Sequence, residues 1–288
     1  MNPHHAPVAP ECEYHTAVGA DGIRIAYQDT GGRHEETLVL LHSLGADGRM
    51  WDGCRALLPA GLRVVVPDTR GHGASGAAPA TSVASWVEDL DEVLRSASVE
   101  RALLVGVSMG GIQALAFAAR HPERVDGLVV ADSFAALQRG LAERKIASLR
   151  DRARSAPMDV VAREYLAETF QEPYPPGAQS VRRAIAAMDA GSYQAAVEAC
   201  FGADIESVLP DVVAPTLVLW GDRDNKTPRH LSEAIVRQVP HARLAVVPDA
   251  GHLSNIDNPR AFLAEVTSFH QATRPLRQGW RSGLEERS

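Results

Sequence analysis

The stretch ALLVGVSMGGIQALAFAAR, residues 102–120, changes its periodicity at a single point. Ala102–Val105 is a continuous apolar run, too short for a helix and suited to a strand buried on both faces. After Gly106-Val107-Ser108-Met109-Gly110 the spacing becomes helical: Ile112, Leu115, Ala116 and Ala119 fall at i, i+3, i+4 and i+7 on one face. A buried strand that turns into a helix within five residues belongs to a parallel α/β sheet.

Working outward, the same signal recurs. Thr37–Leu41, Arg63–Val66, Gly127–Val130, Thr216–Trp220 and Leu244–Val247 are short apolar runs, with helical spacing between them. Ile23–Tyr27 alternates and predicts a half-exposed antiparallel strand. The rhythm breaks between Phe134 and Leu209. There Ala-rich, charged, helical segments are interrupted by Pro157, by Pro173–Pro176 and by Gly191. The predicted architecture is a mostly parallel sheet flanked by helices. Residues 1–133 and 210–274 form its core, and 134–209 form a helical cap over the carboxyl ends of the strands, where ligands bind in such sheets. The first ten residues and the tail from 275 to 288 are polar, rich in Pro and Gly, and read as loose ends.

The turn carries chemistry. Gly-x-Ser-x-Gly between strand and helix is the setting of an exposed nucleophilic serine. A serine at the tip of so tight a turn has a strained backbone, and Gly106 and Gly110 remove side chains that would collide there. Ser108 is therefore the predicted nucleophile. Met109, first in the helix, offers a free backbone N–H to a developing oxyanion.

Such a serine needs a base, and the base needs an orienting acid, in the chain order serine, acid, histidine. His252 follows the last predicted strand on the loop Pro248-Asp249-Ala250-Gly251. His230, His241 and His270 sit in helical or pre-strand segments and are set aside. The preceding strand ends in Trp220-Gly221-Asp222-Arg223-Asp224, so Asp222 and Asp224 compete. Asp224 is preferred because the chain turns once before presenting it; Asp222 would be a loop residue, pairing with Arg223. The loop His42-Ser43-Leu44-Gly45 supplies the second oxyanion donor, the Leu44 N–H, with His42 supporting the loop by hydrogen bonds. Trp51, just after this loop, is a candidate to border the acyl pocket, with a place in the core as the equal alternative.

Gly71–Gly76 matches the dinucleotide pattern GxGxxG, but Ala77-Ala78-Pro79 stands where a helix should have opened, and a tight loop is the better reading. With 29 basic against 36 acidic residues and net charge −7, the chain is a poor nucleic-acid binder. Cys12, Cys54 and Cys200 form no disulfide framework or zinc spacing. No run is long and apolar enough to span a membrane and no signal-peptide pattern opens the chain, so a cytoplasmic protein is expected. The expected partner is a small-molecule ester or lactone, with no membrane, cofactor or metal; the oligomeric state is left open.

PDTRGHGAS (67–75), GVSMGG (106–111), PTLVLWGDRD (215–224) and GHLSNIDNP (251–259) resemble the α/β-hydrolase superfamily over nearly the whole chain. More narrowly, HSLGADGRMWD (42–52), DTRGHGAS and GHLSN resemble 3-oxoadipate enol-lactonases. That resemblance implies the triad roles for Ser108, Asp224 and His252, a lid made by the helical insertion, and hydrolysis of an ester or lactone through an acyl-enzyme. Carboxylesterases, carbon–carbon bond hydrolases, tailoring esterases and slow-turnover receptors share the pattern. The arginines of 133–155 could meet a carboxylate-bearing lactone, but a charge-rich helical face reads first as a solvated one.

Overall fold

The computed structural model describes residues 13–32, 36–59 and 61–285, with 274–285 described in backbone only. Cys12 and the expected loose N-terminus, His4 and His5 included, lie outside the described residues. Eight strands form one sheet: β1 (Tyr14–Val18), β2 (Arg24–Asp29), β3 (Thr37–Leu41), β4 (Arg63–Pro67), β5 (Ala102–Val107), β6 (Val125–Ala131), β7 (Thr216–Gly221) and β8 (Ala242–Val247). Their order is β1-β2-β4-β3-β5-β6-β7-β8, antiparallel at β1–β2 and β2–β4 and parallel elsewhere.

β3, β5 and β6 are buried along their whole length, which is why they read as unbroken apolar runs. Two expectations are corrected. β2 was expected to be half-exposed, yet it is buried at its four central positions. It lies inside the sheet between β1 and β4, the helix Val83–Ser96 packs on it, and the loop at Ser75 and Gly76 is bonded to its backbone. β8 was expected to be buried on both faces, but it is the far edge of the sheet and Val246 is 40% exposed.

Helices α1 (Asp52–Arg55), α2 (Val83–Ser96) and α3 (Met109–Arg120) connect the first half of the sheet. Ser82 caps α2, accepting from the Ser85 N–H while the Ser85 hydroxyl accepts from the Ser82 N–H. Between β6 and β7 the chain makes α4 (Arg139–Ser155), α5 (Met158–Thr169), α6 (Ala178–Ala187) and α7 (Ala190–Phe201). This segment is tied into itself by Arg150–Glu198, Arg152–Glu164 and Arg152–Glu168 ion pairs, and it meets the core where Ile185 closes on Gly45. The chain ends in α8 (Arg229–Gln238), α9 (Ser254–Asp257) and α10 (Pro259–Glu285). The tail expected to be loose from 275 instead continues α10 to Glu285. Leu, Arg, Gln and Glu in that stretch favour helix, against the penalty of Pro275.

Candidate active site

Ser108 sits at φ 55°, ψ −115°, in the left-handed half of backbone space, between β5 and α3. Its N–H donates to Ala131 O at 2.9 Å, and its carbonyl accepts from Ser133 Oγ at 2.7 Å. The glycines leave no slack. A Cβ on Gly106 would lie 2.1 Å from Gly110 O, and one on Gly110 would lie 2.3 Å from Leu41 O. Backbone meets backbone at both points, so only glycine lets the turn close against β3.

The three side chains expected to act together are brought together. His252 Nε2 lies 3.0 Å from Ser108 Oγ, and His252 Nδ1 lies 3.1 Å from Asp224 Oδ2. Asp224 is itself held: its Oδ1 accepts from the Lys226 and Thr227 N–H groups at 2.8 and 3.0 Å, and its Oδ2 accepts from the Thr227 hydroxyl. Burial opposes its charge, but the His252 ring and the hydrogen bonds from His252 and Thr227 outweigh it and hold the carboxyl below its ordinary value. Asp222 is exposed and accepts from the Ala250 N–H, as a loop residue should. Arg223 pairs with Asp249 rather than Asp222.

His42 is fully buried and bridges two loops. Its Nε2 accepts from the Thr69 N–H at 2.9 Å, which leaves the ring proton on Nδ1 to donate to Ser43 O at 2.8 Å. The Ala46 N–H donates to the same carbonyl. With Ser43 C=O fixed on one side of a planar trans peptide, the Leu44 N–H faces the other. Leu44 lines the cavity described below.

Trp51 does not border the site. It is fully buried, packed 5.9 Å from the Phe262 ring centroid, and absent from the cavity lining. A large aromatic ring just after a loop is equally suited to core, and here α10 supplies its partner. Gly71–Gly76 forms the expected tight loop, closed by the Gly71 N–H donating to Gly76 O at 2.9 Å.

Sequence reasoning missed Asp132, which ends β6 at φ 49° and is wholly buried. Its carboxylate accepts from the Gly221 N–H at 2.8 Å, the Ser254 N–H at 3.2 Å and the Ser254 hydroxyl at 2.5 Å. It thereby ties the ends of β6 and β7 to the loop carrying His252. Burial, and then the Asp224 charge, push its carboxyl well above the ordinary range. An acid closing a buried apolar run was the available signal.

Ser108 and His252 open into a cavity of about 310 Å³. The helices between β6 and β7 roof it with Leu149, Tyr165, Tyr193 and Phe201, and Arg144, Lys145 and Arg152 also line it. Part of the charged face read as solvated therefore faces the site. Among the described residues no cluster of His, Cys, Asp and Glu could hold a metal, and no helix is long and apolar enough to cross a membrane.

A serine, histidine and aspartate in hydrogen-bonded series on the strand ends of such a sheet define the α/β-hydrolase class. Residues 36–259 match the model of the family described as the alpha/beta hydrolase fold, and the chain belongs to that family. It is 30% identical over 262 residues to 3-oxoadipate enol-lactonase 1 of Acinetobacter baylyi, covering 86% of this chain and 93% of the relative. Among solved structures, the enol-lactonase from Burkholderia xenovorans LB400 is 28% identical with TM-score 0.82, over 90% of this chain and 100% of that one. A malate-bound thermophilic esterase from Thermogutta terrifontis is 27% identical with the same TM-score, 0.82, over 91% and 99%.

Proposed function

We propose that this hydrolase cleaves a carboxylic ester or lactone through an acyl-enzyme, with Ser108 as nucleophile, His252 as general base and acid, and Asp224 as the orienting carboxylate. The observation that carries the reading is the series Ser108 Oγ–His252 Nε2–His252 Nδ1–Asp224 Oδ2, with links of 3.0 and 3.1 Å. Ser108 Oγ attacks the carbonyl as His252 Nε2 takes its proton. The Leu44 and Met109 N–H groups receive the oxyanion; the pinned Ser43 carbonyl and the helix start support those assignments. His252 then protonates the leaving alkoxide. Next it takes a proton from a water that attacks the acyl carbon, and the returned proton releases Ser108 and the acid. In a lactone the leaving oxygen stays on the acyl chain, so the product is a single hydroxy acid, or its keto tautomer where the leaving group is an enol.

The helices of 134–209 act as the cap that sets the substrate. The likeness to two enol-lactonases makes 3-oxoadipate enol-lactone the first substrate to try. Cytoplasmic action is supported by the buried free thiols Cys54 and Cys200. The test is hydrolysis of p-nitrophenyl acetate and of the enol-lactone by wild type beside Ser108→Ala. Turnover in wild type and its loss in Ser108→Ala is the expected result. A Ser108→Ala protein that keeps full activity ends the proposed mechanism, and lactone turnover no better than acetate removes that substrate.

A further inference from the structure

Lys226 lies two residues beyond Asp224 and lines the cavity that holds Ser108 and His252. Its backbone N–H serves Asp224. Its side chain does something else: the half-buried ammonium stands 4.4 Å from the centroid of the Tyr165 ring, which roofs the same cavity. Arg144 and Lys145 of α4 join it in the lining. Among the described residues none of these three cations forms an ion pair; Lys145 instead stands over the Phe201 ring. The one carboxylate of the lining, Glu168, is engaged by Arg152 at 2.9 Å.

A partly desolvated ammonium against an aromatic face keeps some electrostatic support. Without a counter-anion it still costs free energy to bury. A ligand carboxylate would remove that cost, and it would do so within a cavity sized for one small molecule. On the reading that Ser108 cleaves an ester or lactone, we infer that Lys226 is a specificity-determining residue whose ammonium receives a carboxylate carried by the substrate. The enzyme therefore selects anionic esters over neutral ones of the same shape.

The ammonium is pushed down to about 8, first by burial and then by Lys145 and Arg152, against the pull of Glu168 and Asp224. The Tyr165 ring faces it as well, and His252 lines the same cavity. Lys226 is charged below that value, so KM for the anionic substrate should rise as pH is raised through about 8. Lys226→Arg should move that rise to higher pH.

Two matched pairs test the inference. One places the carboxylate on the acyl side (p-nitrophenyl hemiadipate against p-nitrophenyl hexanoate). The other places it on the alcohol side (4-acetoxybutanoate against butyl acetate). In wild type at least one anionic member should lead its neutral partner in kcat/KM. Lys226→Met should lower that ratio about 10- to 100-fold, the worth of one charge-assisted hydrogen bond, through KM rather than kcat. Lys226→Arg should retain most of it. Adipate binding to Ser108→Ala and to Ser108→Ala/Lys226→Met, measured by calorimetry, gives a second reading that needs no turnover; the second protein should bind at least tenfold more weakly. The inference is overturned if wild type shows no anionic preference in either pair, if Lys226→Met keeps the preference, or if both inactive proteins bind adipate alike. Absence of any Ser108-dependent turnover would instead overturn the proposed function, and the adipate comparison would still decide the role of Lys226.

Discussion

Replacing Gly110 by alanine tests whether the turn around Ser108 is as tightly determined as its geometry implies. The added Cβ would stand 2.3 Å from Leu41 O, 2.7 Å from Leu41 C and 2.9 Å from His42 O. All three are backbone atoms, so no rotamer change relieves the overlap. Ordinary contact begins near 3.4 Å, which requires roughly 1 Å of separation between α3 and the end of β3. The first cost is strain, about 1–3 kcal/mol of stability by analogy with overpacked cores. The second falls on the chemistry: Met109 moves with α3 and Leu44 with β3, so the two proposed oxyanion donors part from each other. A misplacement of about 1 Å is worth about 10²-fold in rate. The assay is kcat for p-nitrophenyl acetate together with urea unfolding. Gly53→Ala serves as control, because position 53 lies on the exposed side of α1, its Cβ would meet nothing within 4 Å, and it should add up to about 1 kcal/mol of stability. A folded Gly110→Ala protein with kcat within threefold of wild type would refute the reasoning.

Two further outcomes are expected. Asp224→Asn should lower kcat by about 10³–10⁴ with the fold intact by circular dichroism, because an amide presented to His252 Nδ1 favours the wrong tautomer; a loss under tenfold would remove Asp224 from its role. His72 is fully buried, and burial, with the neighbouring His42 ring second, pushes its ring down to about 3. Between pH 6.5 and about 3 the unfolded chain therefore holds a proton there that the native protein lacks, and stability should fall by about 1.4 kcal/mol per unit as pH drops. His72→Phe sacrifices the Nδ1 bond to Arg70 O, about 1 kcal/mol at pH 7, yet should flatten that slope between pH 6.5 and 4.5 in urea titrations. An unchanged slope would show that another group sets it.

What was legible in the sequence follows how each feature is encoded. β3, β5 and β6 are buried on both faces, so their apolar runs announce them without any knowledge of neighbours. Tyr14–Val18 carries no such run, because as an edge strand it leaves four of five positions exposed. Ser108, Asp224 and His252 were legible because each sits at a strand end within a turn whose glycines and spacing are local. Trp51 was misplaced because its neighbour, Phe262, lies more than two hundred residues away. Asp132 closes a buried apolar run, which marks it locally, but its role could not be read because its partners, Gly221 at the end of β7 and Ser254 at the start of α9, are far away in the chain. The positions of Lys226 and Tyr165 in one cavity depend on how α5 docks over the sheet, which no periodicity specifies.

That division has a physical root. The groups proposed to do chemistry are anchored to buried strands and cross-tied by buried polar bonds: His42 to Ser43 and Thr69, Asp132 to Gly221 and Ser254, Asp224 to Thr227. Each tie leaves a buried polar atom unsatisfied if broken, at about 1–3 kcal/mol apiece, so the apparatus is rigid and tolerates few substitutions. The helices above it pack on one another through buried apolar side chains such as Val161, Leu166, Val181 and Val197; half-exposed ion pairs such as Arg152–Glu164 and Arg150–Glu198 add only about 0–1 kcal/mol each. Cavity-lining residues that are exposed or only partly buried, such as Arg144 and Lys145, can change at little cost to the fold. Such a construction lets the roof alter substrate while the strand ends keep the reaction. It is also why the reaction can be read from short motifs, while the substrate must be sought in side chains such as Lys226 that point into the cavity between the two.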